Sequence, residues 1–549
     1  MSYKNKDKIE KSELKKTVST DLWCWIVVVL VIISVVVIRG RLLTIPLTRD
    51  EGEYAYIAQQ MLKGVPPYVS AYSMKLPGIY AVYALFFILF GQTITAINLG
   101  LIIFNALTIL IIFLLAKRMF DSISAVVSAA AYAVMSLTRS VFGLFANAEH
   151  FVILPALAGI LLLHNITDKN RYLRIFAAGL LLGLAFIIKQ HGIFFGVFGA
   201  SWLLYSDLYY HPIKLAKVVL AQLIFFASAS IPFILICLFY WHIGVFDKFW
   251  FWTFTYAHKY VAELPFSKAF ENFYVHSFYF LVYAVAWTLA FALLGLYTVL
   301  ILKHLRPVAV FTTGLLFFSF LSVCPGFYFR GHYFIFLLPA IAILAGEGSS
   351  VFCTWAVGRN SGLRYIFVAA LVGLIVIAYP LFNQRRYLFY GTPSDICHRI
   401  WVADCFPESL EIAKYIKQNS LPTDTVAVIG SEPQICFYSN RRSATRYIYT
   451  YPLMEIHPYA VQMQKEMIAQ IEDAKPEFMV SVNIDFSWEL RHDSIRDIFT
   501  WFKSYVDNYQ LVGKIEIQPN GQTVYNWNVQ TAGHKPLSKY WVTVFKRRH

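Results

Sequence analysis

Two neighbouring carboxylates, Asp50 and Glu51, stand just after the first long apolar run of the chain. A carboxylate held beside a reacting hydroxyl can act as a general base. The same residues also suit the start of a helix, since acidic side chains favour its unpaired N–H groups. Asp50 could be the N-cap with Glu53 closing a capping box, or Thr48 could cap with Glu51 as its partner, which would leave Asp50 for chemistry. The sequence leaves both alternatives open.

Three cations lie at comparable positions near the ends of apolar runs. Lys75 precedes a short apolar segment in the same loop as Asp50, where a lysine serves either as a membrane anchor or as a ligand. Lys189 ends another run, and Arg330 lies in a short loop with His332 and Tyr333. The planar guanidinium of Arg330 suits phosphate oxygens. These residue types indicate binding of an anion at a membrane surface.

A third carboxylate, Glu149, begins an apolar run in the sequence Asn147-Ala148-Glu149. An acidic residue at the end of a membrane span is costly unless it faces a cavity or a partner. We therefore favour a functional role for Glu149 over helix capping. Glu347 also lies at a predicted span end.

A helix must position Asp50, because apolar side chains recur at Tyr54, Ile57, Ala58, Met61 and Leu62. Glycine follows at position 64 and ends the pattern, with two prolines beyond it. The pattern predicts an amphipathic helix along the membrane surface. The apolar stretch Pro77–Phe90 is too short to span, so we expect it to lie flat at the interface as well.

The composition is that of a membrane protein, with 58% hydrophobic and only 14% charged residues in 549. The region Gly179–Tyr210 is long enough for two helices. If this region is counted as two helices, the sequence predicts a polytopic α-helical membrane protein with about eleven spans. The clearest apolar runs are Trp25–Ile38, Ala96–Ala116, Ser122–Met135, Ile153–Leu163, Phe176–Ile188, Val218–Tyr240, Phe278–Leu302, Val308–Val323, Tyr333–Ala345 and Ile366–Ala378.

The net charge of +15 argues for a membrane rather than for nucleic acid. Residues 382–549 hold 19 Lys/Arg and 17 Asp/Glu, so most of the excess lies in short loops between apolar runs. Positive residues in such loops mark the cytoplasmic side. The rule predicts a cytoplasmic N-terminus, an outer loop at residues 39–95 and an extracytoplasmic C-terminal part, in the cell (plasma or inner) membrane.

The chain is predicted to divide into a transmembrane domain at residues 1–381 and a small extracytoplasmic α/β domain at residues 382–549. Cys397 and Cys405 could form a disulfide there. No nucleotide-binding or metalloprotease motif occurs in this domain. Its expected elements are helices at Glu408–Gln418 and Glu455–Glu472, and strands at Thr425–Ile429, Glu477–Val482, Leu511–Ile517 and Tyr540–Phe545.

The segment Trp241–Ser277 is rich in aromatic residues. We expect an interfacial aromatic belt, with stacking on a sugar or covering of a lipid as the alternative. His242, Asp247 and His258 do not make a convincing metal set.

The order of these features resembles the bacterial branch of the protein O-mannosyltransferase and lipid A aminoarabinose transferase group, within the GT-C superfamily. The specific part is Asp50-Glu51 followed by Tyr54-Ala55-Tyr56-Ile57-Ala58 and Lys75-Leu76-Pro77-Gly78. A departure is Leu76, where the aminoarabinose transferases have a second proline, and this leaves the donor sugar open. Later segments agree, namely Asn147-Ala148-Glu149, Lys189-Gln190, Arg330-Gly331-His332-Tyr333 and Leu338-Pro339.

The resemblance implies an inverting glycosyltransferase that uses a polyprenyl-phosphate-linked sugar and a glycan, lipid or protein hydroxyl as acceptor. It implies Asp50 as the general base, Glu51 as support for the loop or the acceptor, and Glu149 as a second acidic group. The cations Arg330, Lys75 and Lys189, with His332 and Tyr333, would then bind the donor phosphate. The resemblance also implies a reaction that needs no metal, and no other cofactor is predicted.

Three other functions compete with this one. A transporter or lipid flippase would place charges near the bilayer midplane, whereas the charges here lie at predicted span ends. A membrane-anchored scaffold does not explain the acidic first loop. A metal-dependent oligosaccharyl or glycan transferase is the nearest rival, and loss of activity in EDTA would favour it.

Overall fold

The structure is a computed structural model that describes residues 3–166, 169–210, 214–359, 361–518, 521–528 and 537–548. It divides into two compact units. The first comprises Met1–Arg41, Leu99–Ile236 and Leu264–Tyr390, and the second comprises Leu42–Asn98, Cys237–Glu263 and Gly391–His549.

Helices dominate the fold. In the first half of the chain the α-helices are α1 (Tyr3–Gly40), α2 (Arg49–Leu62), α3 (Gly78–Phe90), α4 (Ile94–Met119), α5 (Ser122–Met135), α6 (Ala148–Leu163), α7 (Arg171–Ile188), α8 (Ile193–Tyr210), α9 (Leu215–His242), α10 (Phe246–Trp250), α11 (Ala257–Val261) and α12 (Phe266–Tyr283). In the second half they are α13 (Ala286–Ile301), α14 (Arg306–Val323), α15 (Leu338–Val357), α16 (Leu363–Asn383), α17 (Arg385–Leu388), α18 (Pro393–Ile400), α19 (Glu408–Gln418), α20 (Pro433–Ser439), α21 (Tyr451–Met454), α22 (Ala460–Ala474), α23 (Asp485–Trp488) and α24 (Asp497–Tyr505).

Shorter helical turns join some of these elements. The 3₁₀ turns are Arg139–Val141, Gln190–Gly192, Lys303–Leu305, Pro325–Phe327, Gly331–Leu337 and Val506–Asn508, and Phe251–Tyr256 is a π-helix.

Among the described residues, seven helices are long and apolar enough to cross a membrane. This confirms the polytopic helical class, while the count of about eleven spans stays a prediction. The expected span Phe278–Leu302 is divided, because α12 ends at Tyr283 and α13 begins at Ala286. The seven helices are Leu22–Gly40, Ile94–Met119, Arg171–Ile188, Leu215–His242, Lys303–Val323, Gly331–Val357 and Leu363–Asn383.

The first unit is organised around α15, which is buried along nearly its whole length. Glycines allow this packing. A Cβ at Gly346 would lie 2.1 Å from Ser128 Oγ, and one at Gly348 would lie 1.9 Å from the Phe291 carbonyl oxygen. Small residues at helix contacts let backbones approach closely in a lipid environment. Helices α5, α13 and α15 therefore pack closely against one another.

The second unit contains a mixed sheet of β1 (Thr425–Ile429), β2 (Arg442–Ser443), β3 (Phe478–Asn483), β4 (Tyr509–Ile517), β5 (Thr523–Trp527) and β6 (Trp541–Arg547). The strand order is β2-β1-β3-β6-β4-β5. Strand β1 pairs in parallel with β2 and β3, and the remaining pairs are antiparallel.

Several local predictions in this unit match the structure closely. The expected helix at 408–418 and strand at 425–429 have the predicted bounds. The helix predicted at 455–472 begins later, at Ala460, and ends at Ala474. Strand β5 was not predicted, and its residues are all half-buried, so they lack the strong alternation that marks a strand.

The second unit extends beyond the C-terminal part of the chain, because it also includes residues 42–98 and 237–263. Helix α2 packs against α20, and a Cβ at Gly52 would lie 2.7 Å from the backbone N of Gln434. As a result α2 is buried on nearly all sides. The C-terminal part of the chain therefore covers the polar face of α2, while the predicted position of this helix along the membrane surface stays a prediction.

The aromatic segment after α9 is also partly internal. Trp252 stacks on Tyr72 with ring centroids 4.8 Å apart, and Tyr256 donates a hydrogen bond to Glu455. Phe249 is buried too, whereas Trp241 and Trp250 are exposed. The belt prediction is therefore wrong for the buried members, which form part of the core of the second unit.

Candidate active site

The start of α2 decides between the two capping alternatives. Thr48 occupies the N-cap, and Oε2 of Glu51 accepts hydrogen bonds from the Thr48 backbone N (2.8 Å) and Oγ1 (2.9 Å). Glu51 is buried and closes the capping box. The structure thus gives Glu51 a structural role in the loop, and Asp50 is not the N-cap.

Asp50 instead takes part in a small cluster with side chains from distant parts of the second unit. Lys75 Nζ lies 2.9 Å from Asp50 Oδ1, and the Tyr449 hydroxyl donates to the same oxygen at 3.2 Å. Lys75 also forms an ion pair with Glu53. We call Asp50, Glu53, Lys75 and Tyr449 the carboxylate–lysine cluster. It brings together Asp50 and Lys75, as the sequence predicted, with two residues that the sequence did not nominate.

Burial differs between the two carboxylates of this cluster. The side chain of Asp50 is 22% exposed and that of Lys75 18%, whereas Glu53 is only 2% exposed. Asp50 can therefore meet a substrate, while Glu53 is closed off from solvent. The Lys75 ammonium also lies 4.8 Å from the Tyr54 ring centroid and 5.3 Å from that of Tyr449, distances typical of cation–π contacts.

Electrostatics keep Lys75 protonated. Burial lowers the pKa of Lys75, but the carboxylates of Asp50 and Glu53 raise it more, and the net direction is upward. Burial raises the pKa of Glu53, while the Lys75 ammonium opposes this rise. One fixed cation thus compensates two carboxylates. The predicted contact of Lys75 with a phosphate stays a prediction.

Arg49, the residue before Asp50, anchors the start of α2 in the second unit. Its Nη2 lies 2.9 Å from Asp404 Oδ1 and 3.1 Å from Glu432 Oε1, and its Nε donates to the Ser431 carbonyl at 2.8 Å. Burial lowers the pKa of Arg49, but Tyr451, Asp404 and Glu432 together raise it above its usual range. The backbone next to Asp50 is therefore held by a buried, charge-compensated network. No local sequence signal links position 49 to positions 404 and 432.

Within the first unit, four predicted residues form a second cluster, which we call the glutamate–lysine cluster. Glu149, in the first turn of α6, forms an ion pair with Lys189, which follows α7. His332 Nε2 lies 3.9 Å from Glu149 Oε1, and Lys189 Nζ lies 4.4 Å from the Tyr333 ring centroid. The His332 and Tyr333 rings meet edge to face at 4.8 Å. Residues from three separate segments thus converge, with Glu149 buried.

Arg330 directly precedes the 3₁₀ turn Gly331–Leu337, which carries His332 and Tyr333. Its guanidinium lies 5.3 Å from the Tyr328 ring centroid. The side chain is half-buried, so it combines a fixed position with access from outside the protein. This environment suits recognition of an anion by a guanidinium.

The other sequence predictions about the site concern metals and cysteines. In the part of the chain that the structure describes, no group of three or more His, Cys, Asp or Glu side chains could hold a metal ion. The prediction of a metal-independent reaction remains untested. Cys397 and Cys405 are both buried free thiols, so the disulfide considered for them is absent in this structure.

Comparison with known proteins shows which family and which folds this chain is similar to. Residues 74–235 match the family model described as dolichyl-phosphate-mannose-protein mannosyltransferase. This segment includes Lys75, Glu149 and Lys189. No curated protein sequence matches the chain.

Solved structures cover almost the whole chain. ArnT from Cupriavidus metallidurans bound to undecaprenyl phosphate is 14% identical, with a TM-score of 0.56 over 94% of this chain and 97% of that one. The archaeal oligosaccharyltransferase AglB from Archaeoglobus fulgidus, in complex with an inhibitory peptide and a dolichol-phosphate, is also 14% identical. Its TM-score is 0.50 over 94% of this chain and 75% of that one. The chain therefore shares the fold of these two proteins, and this likeness together with the matched family model agrees with the resemblance inferred from the sequence.

Proposed function

We propose that this protein is an inverting glycosyltransferase that moves a sugar from a polyprenyl-phosphate donor to an acceptor hydroxyl at the extracytoplasmic face of the membrane. The observation that carries the proposal is the position of Asp50. It is partly exposed, it is not needed as a helix cap, and it is bound by Lys75 and Tyr449. A carboxylate held in this way suits a general base.

In the proposed reaction Asp50 accepts the proton of the acceptor hydroxyl as that oxygen attacks the anomeric carbon. The new bond joins the acceptor oxygen to this carbon, and the bond from the carbon to the lipid phosphate oxygen breaks. Lys75 and Tyr449 fix the orientation of the Asp50 carboxylate, and Arg49 fixes the backbone beside it. Preorganised groups of this kind lower the cost of reaching the transition state.

The departing phosphate requires positive charge. We assign this role to Arg330, Lys75 and Lys189, with His332 and Tyr333 as further contacts, and Glu149 holds Lys189 in place. The description of ArnT as bound to undecaprenyl phosphate supports a polyprenyl phosphate as the lipid part of the donor. The family model that matches residues 74–235 supports a sugar linked to such a lipid.

The test uses purified full-length protein and undecaprenyl-phosphate sugars of several kinds, with release of the lipid phosphate as the readout. Asp50→Asn should lower turnover by about 100-fold, the scale of a lost general base, and leave donor binding largely unchanged. The control is Asp493→Asn, because Asp493 is exposed and pairs only locally with His492. Near-normal turnover of Asp50→Asn with every active donor would remove Asp50 from the mechanism.

The likeness to AglB favours one alternative, a metal-dependent oligosaccharyl or glycan transferase. That enzyme class would use a lipid-linked donor at the same membrane face. It differs in requiring a divalent metal, so dependence on an added metal ion separates the two functions.

A further inference from the structure

The second unit contains a pocket that the proposed reaction does not use. The pocket has a volume of about 430 Å³ and lies where the end of α3 meets α19 and α20. The lining residues that matter here are Gln59, Gln92, Thr93, Lys414, Lys417 and Asn440. Amides, a hydroxyl and two ammonium groups thus face one cavity, a combination suited to an anionic and hydroxylated ligand.

The charge around the pocket is strongly positive. Besides Lys414 and Lys417, Lys63 donates a hydrogen bond to Asn440 Oδ1 at 2.7 Å. The buried guanidinium of Arg441 binds the Lys417 carbonyl at 3.1 Å. One carboxylate, that of Glu411, lies 3.5 Å from Lys414. The two lysines that line the pocket, with two further cations beside them, favour a phosphate or carboxylate group in the pocket.

A buried amide in the lining also lacks a partner. The side chain of Gln59 is almost fully buried, and among the described residues its Oε1 has no hydrogen-bond partner. Its Nε2 makes only a long contact of 3.4 Å with the Phe437 carbonyl. Because buried polar atoms are normally paired, the Gln59 amide is a group that a ligand hydroxyl or a bound water would satisfy.

The position of the pocket indicates where its ligand comes from. Ile94, which also lines the pocket, begins the apolar helix Ile94–Met119, so the pocket lies at the end of a helix long enough to span the membrane. The preceding helix α3 exposes Ile88 (67%) and Leu89 (60%), side chains that would enter lipid. We expect a cavity in this position to lie at the depth of lipid headgroups.

The pocket is separate from the carboxylate–lysine cluster. Gln59 follows Asp50 by nine residues on α2, which corresponds to roughly 14 Å along the helix axis and about half a turn around it. We infer that this pocket binds the phosphate-bearing headgroup of a membrane lipid, on the opposite side of α2 from Asp50. Its lysines contact the phosphate, and its amides and hydroxyl contact the polar remainder of the headgroup.

The test measures binding of short-chain lipids to the full-length protein in detergent by native mass spectrometry. Dioctanoyl phosphatidylglycerol is the phosphate-bearing probe, and dioctanoyl glycerol is the probe without phosphate. Lys414→Ala/Lys417→Ala should weaken phosphatidylglycerol binding by about tenfold or more, since each lysine near a charged lipid surface contributes substantially. The matched control is Lys465→Ala/Lys503→Ala, which removes two exposed lysines elsewhere in the second unit.

A second variant separates the pocket from its surface charge. Leu410→Trp fills the cavity without changing the charge and should weaken binding as strongly as the lysine double variant. Unchanged binding in Leu410→Trp, an equal loss in the control variant, or equal binding of the probe without phosphate would each overturn the inference.

A further arm distinguishes two sources of the same headgroup chemistry. The probe is a monophosphorylated disaccharide lipid. If it binds tenfold more tightly than phosphatidylglycerol, the ligand of the pocket is a glycolipid, of the kind that could serve as acceptor. If the two probes bind equally, the ligand is bulk phospholipid. Asp50→Asn should bind all probes normally. Failure of this inference is therefore distinguishable from failure of the proposed reaction, because no step of the binding assay requires glycosyl transfer.

Discussion

The hydroxyl of Tyr449 donates a hydrogen bond to Asp50 Oδ1 at 3.2 Å, although 399 residues separate them in the sequence. This contact links the loop between α1 and α4 to the C-terminal α/β part of the second unit. The C-terminal part therefore contributes directly to the candidate active site. It also makes Tyr449 a positioning residue whose removal can be tested separately from that of the base.

Tyr449→Phe removes the hydroxyl and keeps the ring beside Lys75. We expect kcat to fall by about tenfold with the KM for the donor little changed, because a hydrogen bond to a charged group contributes roughly 1.5–3 kcal/mol. Steady-state kinetics with the active donor provide the measurement. Tyr447→Phe is the control, since it removes a hydroxyl that binds Glu466 instead. A larger change in KM than in kcat would argue against a positioning role for Tyr449.

Lys75 and Glu53 should be coupled in stability. Lys75→Met leaves the buried Glu53 carboxylate uncompensated, and breaking a buried pair costs about 3–5 kcal/mol. We expect the Tm to fall by roughly 5 °C or more. Lys75→Met/Glu53→Gln should recover at least half of this loss, as a double-mutant cycle in detergent would measure. Simple additivity of the two substitutions would contradict the ion pair.

The glutamate–lysine cluster of the first unit should matter for turnover. Glu149→Gln removes the charge that holds Lys189, and we expect turnover to fall by about 100-fold, the scale of a lost electrostatic contact to a departing group. Glu347→Gln is the comparison, because Glu347 is another buried carboxylate of the same unit and binds Ser124. Equal effects of the two substitutions would indicate a general role in folding.

The titration of the Glu455 carboxyl should make the stability of the protein depend on pH. Burial raises the pKa of its carboxyl to about 7, with a smaller opposing effect of the Tyr256 hydrogen bond. The folded protein therefore binds this proton more tightly than the unfolded chain. Its contribution to stability is fully present below the ordinary pKa near 4.5 and is lost as the pH rises through about 7.

The free energy of unfolding of the unmodified protein should accordingly fall between pH 5 and pH 7.5 by about 2 kcal/mol more than that of Glu455→Gln. Thermal unfolding in detergent at several pH values provides the measurement. Glu411→Gln, at an exposed position, should follow the unmodified protein. Parallel curves for the unmodified protein and Glu455→Gln would exclude this titration.

Removal of metal ions should leave activity unchanged. We expect turnover in EDTA within about twofold of that in buffer, because in the proposed reaction fixed cations, rather than a metal ion, compensate the phosphate. Addition of Mg²⁺ or Mn²⁺ after EDTA treatment is the control. A loss in EDTA that either ion restores would favour the metal-dependent alternative.

The sequence alone determined the class of the protein and most of its local structure. Long apolar runs predict membrane helices because the hydrophobicity of one continuous segment is enough to recognise such a helix. The helix at 408–418 and the strand at 425–429 were likewise predicted from the residue pattern of a single segment. It also proposed Asp50, Lys75, Glu149 and Lys189 as candidate site residues, since charges at the ends of apolar runs are conspicuous. The sequence left two alternatives for the N-cap of α2, and the structure shows that Thr48 is the N-cap and that Glu51 closes the capping box.

Only the tertiary structure decided which side chains meet. Arg49 pairs with Asp404 and Glu432, and Asp50 contacts Tyr449, across more than 350 positions. A single sequence carries no periodic signal for such contacts, because they depend on how distant segments pack and not on local spacing. The same reason explains α2, whose pattern predicted a surface helix but whose polar face is covered by α20. Neighbouring residues determine the secondary structure and the capping of a segment, whereas the contacts and burial of each side chain depend on the whole folded unit.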